Sequence, residues 1–242
     1  MNAFEGKVVL ITGAGRGAGR VLAERFASEG AHLAASDISP INVEEIVAGR
    51  PNARAYVEDM TRKVAVQALA KQVEDDLGAI DILINHAGVE PHAAILDMDE
   101  WDWHRTLDAN LTAAFLTMQS IGRMMRERGR GVIVNVIPAG GNDPGKGWGA
   151  YLASVAGLAA LTRAAASELS EYAIRVHAVG TGLASHPVPT SWTSRAARPG
   201  PPGRDGRHVD GPVPGDVAGA VLYLCSQAAA GLNGQIVNVE EP

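Results

Sequence analysis

The chain has 242 residues, 46% hydrophobic and 20% charged, enough for one sizeable core and read as a single domain over 1–242. A formal net charge of −6 excludes the broad basic field that nucleic acid needs, and a lone cysteine, Cys225, excludes internal disulfides and cysteine-based metal clusters. No uncharged apolar run reaches the ~18 residues of a membrane span, and Glu5 and Lys7 interrupt any secretory pattern, so the expectation is a cytoplasmic protein with no membrane partner.

Val8-Val9-Leu10-Ile11 is a short β-branched run that opens directly into Thr12-Gly13-Ala14-Gly15-Arg16-Gly17-Ala18-Gly19. The helical spacing of Val21, Leu22 and Phe26 follows, giving strand, glycine loop, helix. Further strands are expected at 31–36, 53–57, 80–84, 131–137, 174–179 and 235–239. Helices are expected near 62–78, 98–128, 150–171 and 214–227. Such alternation predicts an α/β fold, a parallel sheet with helices on both faces in three layers. Residues 183–212 break the pattern with Pro187, Pro189, Pro199, Pro201 and Pro202 among glycines, and read as an irregular surface loop or lid. Trp101 and Trp103 share helical spacing with Leu107 and Leu111, which predicts core and subunit packing. Cys225 lies in an apolar helical stretch and is expected to be buried.

A glycine turn between a strand and a helix lets backbone amides approach a pyrophosphate, and the helix points its positive end at the same anion. Gly13, Gly17 and Gly19 carry this reading, with Gly15 and Arg16 beside them. Asp37 ends the second strand, eighteen residues past Gly19, where a carboxylate accepts both ribose hydroxyls and repels a 2′-phosphate. That favours NAD over NADP, although Arg16 is placed to meet a phosphate.

With Thr12-Gly13-x3-Gly17-x-Gly19, Asp59 after the third strand, Asn85-His86-Ala87-Gly88 after the fourth, Asn110 and Tyr151, the chain resembles the short-chain dehydrogenase/reductase family from Lys7 to about Glu240. The resemblance implies a Rossmann-type sheet of about seven parallel strands. It puts Asp59 and Met60 near the adenine and Asn85, Ala87 and Gly88 at the central ribose; a structural turn is the other reading of that tetrapeptide. It implies further that Tyr151 exchanges a proton with a substrate oxygen, that Asn110 supports a water relay, and that helices around 98–128 and 150–171 build a homodimer or homotetramer.

The same resemblance exposes two departures. The family's lysine four residues after the tyrosine is Val155, and its serine thirteen residues before is Pro138. An unassisted tyrosine has a pKa of roughly 10, so about one in a thousand is ionised at neutral pH without a nearby cation. Thr181-Gly182 replaces the usual Pro-Gly, and His186 stands where a small hydroxyl residue holds the carboxamide. These changes face the reactive ring, whereas Gly13, Gly17, Gly19, Asp37 and Asp59 follow the pattern. The first reading is therefore an NAD-binding protein of weak or lost redox chemistry in a binding or regulatory role, with an unidentified small molecule as its other ligand. The alternative is a working NAD(P)-dependent oxidoreductase on a small carbonyl or alcohol, with Tyr151 served by Lys146 or water. A non-redox enzyme reusing the pocket, shaped by Tyr151, Asn110 and Trp148, is a third. Ser154 reads as structural, and His177 and His186 as passive. No metal site is read.

Overall fold

The computed structural model describes residues 2–137, 147–181 and 216–239. Pro138, Lys146, Gly182, His186 and the irregular stretch 183–212 lie outside the described residues.

Seven strands form one parallel sheet in the order β3-β2-β1-β4-β5-β6-β7. They are β1 (Val8–Thr12), β2 (His32–Asp37), β3 (Ala53–Val57), β4 (Ile80–Asn85), β5 (Gly131–Ile137), β6 (Ile174–Thr181) and β7 (Ile236–Val239). Strand β1 is buried at every residue because helices cover both its faces, so it reads as an unbroken apolar run. The chain winds outward from β1 to β3, then crosses back to place β4 on the other side of β1. Thr12 and Asn85 end adjacent strands in register, and the crevice beyond them is the topological switch point where ligands bind in open α/β sheets.

Helix α1 (Gly17–Ser28) buries Leu22, Ala23 and Phe26 on one stripe, and Phe26 meets Phe4 edge-on at 4.8 Å between centroids. Helix α2 (Pro40–Val47) is absent from the expected elements. It is eight residues long and buries Val43 and Ile46, too little periodicity to stand out, although Pro40 opens it as proline does at a first helical turn. Helix α3 (Lys63–Leu77) matches its expected span closely. The expected helix at 98–128 is three segments: α4 (Glu100–Leu107), a π-helical turn (Asp108–Thr112) and α5 (Ala113–Arg128). The wider turn fits one extra residue into the helix and places Asn110 among the buried side chains. Helix α6 is Gly149–Leu169, and α7 is Val217–Cys225, capped at its start by the Asp216 carboxylate accepting from the Gly219 amide.

The core-packing half of the expectation for the tryptophans is corrected. Trp101 is 67% exposed with the Arg105 guanidinium 5.1 Å above its ring, so it is a surface residue, and Trp103 is also exposed. Their helical spacing is real, but α4 turns that stripe outward. Cys225 is buried as expected, and burial pushes its thiol up to about 12.

From Gly149 to Tyr172, α6 and the short turn after it are long and apolar enough to cross a membrane by length and composition. In the fold this helix packs on the sheet, burying Tyr151, Ser154, Val155, Leu158 and Thr162. His177, on β6, is fully buried, and among the described residues neither ring nitrogen has a hydrogen-bond partner. Burial, with the Arg175 charge adding to it, drives its pKa down to about 3.

Candidate active site

The glycine loop shows why its residue types are needed. Gly13 has φ of +66°, and a Cβ there would stand 2.8 Å from the backbone of Ala87. A Cβ on Gly19 would strike the Gly13 carbonyl and come 2.6 Å from His86 Nδ1. Gly17, by contrast, takes φ of +54° beside open space, where a ligand has room. Arg16 precedes α1 without capping it through its side chain, and the first turn holds no acidic residue, so the amides at the helix start face no competing carboxylate. These features fit a dinucleotide pyrophosphate.

Asp37 sits at the end of β2 beside this loop. Its Oδ2 accepts from the Gly15 amide at 2.8 Å and its Oδ1 from the Ser39 amide at 3.0 Å, which fixes the carboxylate and leaves acceptor capacity for ribose hydroxyls. Asp59 is exposed, accepting from the amide and hydroxyl of Thr61, with Met60 buried next to it. The hydroxyl of Thr12, at the end of β1, accepts from the amides of His86 and Ala87 at 3.2 and 3.3 Å and so locks the β4 exit to the glycine loop. His86 lies 3.1 Å through Nδ1 from the Gly13 carbonyl, and burial holds its pKa below the ordinary value.

Asn85 is committed elsewhere. Its amide donates to Asn135 Oδ1 at 2.9 Å and its carbonyl oxygen accepts from the Thr117 hydroxyl at 2.7 Å. Asn135 in turn donates to Thr162 at 2.9 Å, so a buried polar chain crosses from α5 through β4 and β5 to α6. Such a network is worth keeping because each member is satisfied in a low-dielectric interior. Sequence reasoning passed over Asn135, Thr117 and Thr162; polar residues inside otherwise apolar runs were the available signal. Gly88 is exposed, and a Cβ on it would stand 3.0 Å from Asn110 Oδ1.

Asn110 is likewise a brace. Its Oδ1 accepts from the Val89 amide at 2.8 Å, and its amide nitrogen donates to the Val89 carbonyl at 2.9 Å and to Ser154 Oγ at 3.0 Å. Ser154 donates on to the Tyr151 carbonyl at 2.6 Å. The π-helical turn thus ties the loop after β4 to α6, and Ser154 serves structure as expected.

Tyr151 lies in the first turn of α6, and Val155, four residues on and 8% exposed, shares an apolar cluster with it, Leu158, Ala114 and Ile137. Val155 is therefore part of an apolar wall. Burial, then the Glu90 carboxylate, raises the phenol well above its usual pKa. The Trp148 ring meets Tyr151 edge-on at 5.3 Å, and His92 meets Trp148 edge-on at 3.8 Å. Glu90, His92 and this aromatic contact were missed in the sequence, where they look like unremarkable loop residues. No group of three or more potential metal ligands occurs among the described residues.

Residues 7–196 match the family model described as short chain dehydrogenase. The chain is 33% identical to a 3-oxoacyl-[acyl-carrier-protein] reductase of Thermotoga maritima, across 98% of this chain and 97% of that one. It is 32% identical to a 2,3-dihydro-2,3-dihydroxybenzoate dehydrogenase of Bacillus subtilis, across 95% and 93%. A solved short chain dehydrogenase from Mycobacterium smegmatis superposes with a TM-score of 0.80 at 29% identity, covering 99% of this chain and 93% of that chain. With its Rossmann-like parallel sheet and glycine loop, the chain belongs to the short-chain dehydrogenase/reductase family, oxidoreductase-like proteins that bind nicotinamide dinucleotides.

Proposed function

We propose that the protein is a nicotinamide-dinucleotide-dependent oxidoreductase that works chiefly as a carbonyl reductase, with Tyr151 as its acid and the apolar Val155 four residues after it. The observation that carries this reading is Tyr151 itself, anchored in α6 against Trp148 and held protonated by burial and Glu90. A protonated phenol is a poor base, so abstracting a proton from an alcohol is slow. It is still a competent acid toward a nascent alkoxide, which is far more basic than a phenolate. A bound reduced nicotinamide supplies the hydride. Tyr151 gives its proton to the carbonyl oxygen as the carbonyl carbon is reduced, the C=O π bond is replaced by one C–H and one O–H bond, and the phenolate recovers a proton from water. Val155 is apolar and adds no charge of its own to that recovery. The named activities of the relatives, a reductase and dehydrogenases, support this class.

The residues proposed to hold the dinucleotide are Gly13, Gly15, Arg16, Gly17 and Gly19 at the pyrophosphate, Asp37 at the adenosine ribose, Asp59 and Met60 at the adenine, and Ala87 and Gly88 nearer the nicotinamide. The Asp37 carboxylate supports NAD in preference to NADP. A homo-oligomer is proposed through α5 and α6, whose outer faces line a cavity of about 230 Å³ with Phe115 exposed at its rim. The test is to follow NADH and NADPH absorbance over a panel of ketones and the matching secondary alcohols: reduction is expected to exceed oxidation at neutral pH.

Val155 and Pro138 favour a second reading, a dinucleotide-binding protein without turnover. It predicts tight NADH binding with no consumption on any ketone.

A further inference from the structure

Resting on the dinucleotide reading above, we infer that His86 is a positioning residue of the glycine loop, and that its imidazole takes up a proton as a pyrophosphate binds, so that dinucleotide affinity rises as pH falls.

His86 is the first residue past β4, and its backbone is pinned there because its amide and that of Ala87 both donate to the Thr12 hydroxyl. From this position the half-buried ring reaches the glycine loop, with Nδ1 3.1 Å from the Gly13 carbonyl oxygen. A carbonyl can only accept, so the proton of the neutral ring sits on Nδ1, and Nε2 is the atom left to gain one. The ring also occupies the space that a side chain on either flanking glycine would need. A Cβ would stand 3.1 Å from Nδ1 on Gly13 and 2.6 Å from it on Gly19. His86 thus braces Gly13 in its left-handed conformation, φ of +66°, and gives its carbonyl a donor on the side of Gly19 and α1. A carbonyl oxygen turned the other way would set a partial negative charge against a bound pyrophosphate.

The brace alone does not require histidine. Asparagine carries its amide nitrogen the same number of bonds from Cα as Nδ1, and would donate to Gly13 without ever becoming charged. What the imidazole adds is a second proton. The charged groups that act on it are Arg16 in the loop, which opposes protonation, and Asp37 at the end of β2, which favours it. Arg20, in the first turn of α1, is engaged with Glu24 and Glu45. Burial is the largest influence and holds the free ring below its ordinary value, so it is neutral at pH 7. A pyrophosphate brings two negative charges to the backbone that the ring touches, and in partly buried surroundings such charges favour the imidazolium. The ring therefore binds more protons with the ligand than without it. Binding takes up a proton at Nε2, is tightest in acid, and weakens as pH rises through the value the ring has in the complex.

The test is calorimetric titration of the protein with NAD from pH 6 to pH 8, in buffers of different ionisation enthalpy, which counts the protons exchanged on binding. Uptake of about half a proton near pH 6.5 is expected, with affinity ~5-fold higher at pH 6 than at pH 8. Adenosine, which lacks the pyrophosphate, should bind without uptake. His86→Asn should bind NAD within about threefold of the parent at pH 8 and take up no proton, because the donor stays and the charge is lost. His86→Ala should bind ~10-fold more weakly or worse at pH 8, with melting curves showing both variants folded. NAD binding without proton uptake in the parent, undiminished uptake in folded His86→Asn, equal uptake with adenosine, or parent-like affinity in folded His86→Ala would each overturn the inference while leaving the dinucleotide reading in place. Absence of NAD binding at every pH would sink both.

Discussion

The two ends of the crevice are built on opposite terms. At the glycine loop, backbone carries the chemistry: Gly13 and Gly19 are where a side chain would collide with main chain, Thr12 locks two strand ends together, and Asp37 is held by two amides. At Tyr151 the side chains decide: the phenol meets Trp148 edge-on and shares an apolar cluster with Val155. A backbone cradle tolerates few substitutions, because any Cβ or shift closes it. A proton path tolerates more, because several groups, or water, can deliver charge to one oxygen. The proposed function therefore predicts that binding and turnover can each be broken without the other.

The largest expected effect lies at the cradle. Gly13→Val combines a left-handed backbone with a side chain driven into Ala87, and should weaken NADH binding by ~100-fold or more, about 3 kcal/mol, in a fluorescence titration. Binding within threefold of the parent would mean that the dinucleotide does not use this loop. At the other end, Pro138→Ser with Val155→Lys should raise ketone reduction by about 100-fold, since it returns a donor and a cation to the developing oxyanion. NADH binding should change little in that variant. A folded, NADH-binding double variant with no gain would show that proton delivery does not limit the rate. Asp37→Asn is expected to shift the NADH to NADPH affinity ratio about tenfold toward NADPH, roughly 1.4 kcal/mol, and an unchanged ratio would remove Asp37 from the ribose site.

A smaller prediction concerns stability away from the crevice. His177 has a folded pKa of about 3 against about 6.5 when unfolded, so between those values the unfolded chain binds more protons and stability falls as pH falls. At pH 5 this linkage costs about 2 kcal/mol relative to pH 8. His177→Leu also removes two unsatisfied buried nitrogens, and should flatten the decline in denaturant midpoints between pH 8 and pH 5. An equal decline in both proteins would place the acid sensitivity elsewhere.

The sheet was legible because buried parallel strands are continuous runs of Val, Ile and Leu, as Val8 to Ile11 shows, and because glycines punctuate the first turn. Less visible was anything that depends on how an element is turned or interrupted. Helix α2 buries too few residues to print a period, and the π-helical turn at 108–112 leaves no compositional mark. Trp101 has helical spacing yet faces solvent. The side-chain bonds of Asn85 to Asn135 and Thr117 join partners far away in sequence. Glu90 and His92 gain meaning only because Asn110 and Gly147 hold their loop against α6.

Tyr151 acting as a protonated acid that favours reduction is the central claim. Its most direct test is NADH-dependent ketone reduction and NAD-dependent oxidation of the matching alcohol, followed from pH 6 to pH 9 in the parent and in Tyr151→Phe. Reduction that is faster than oxidation at neutral pH, level across that range, and lost by at least ~100-fold in Tyr151→Phe is the predicted result. Oxidation as fast as reduction at neutral pH, or full activity without the phenol, would contradict it.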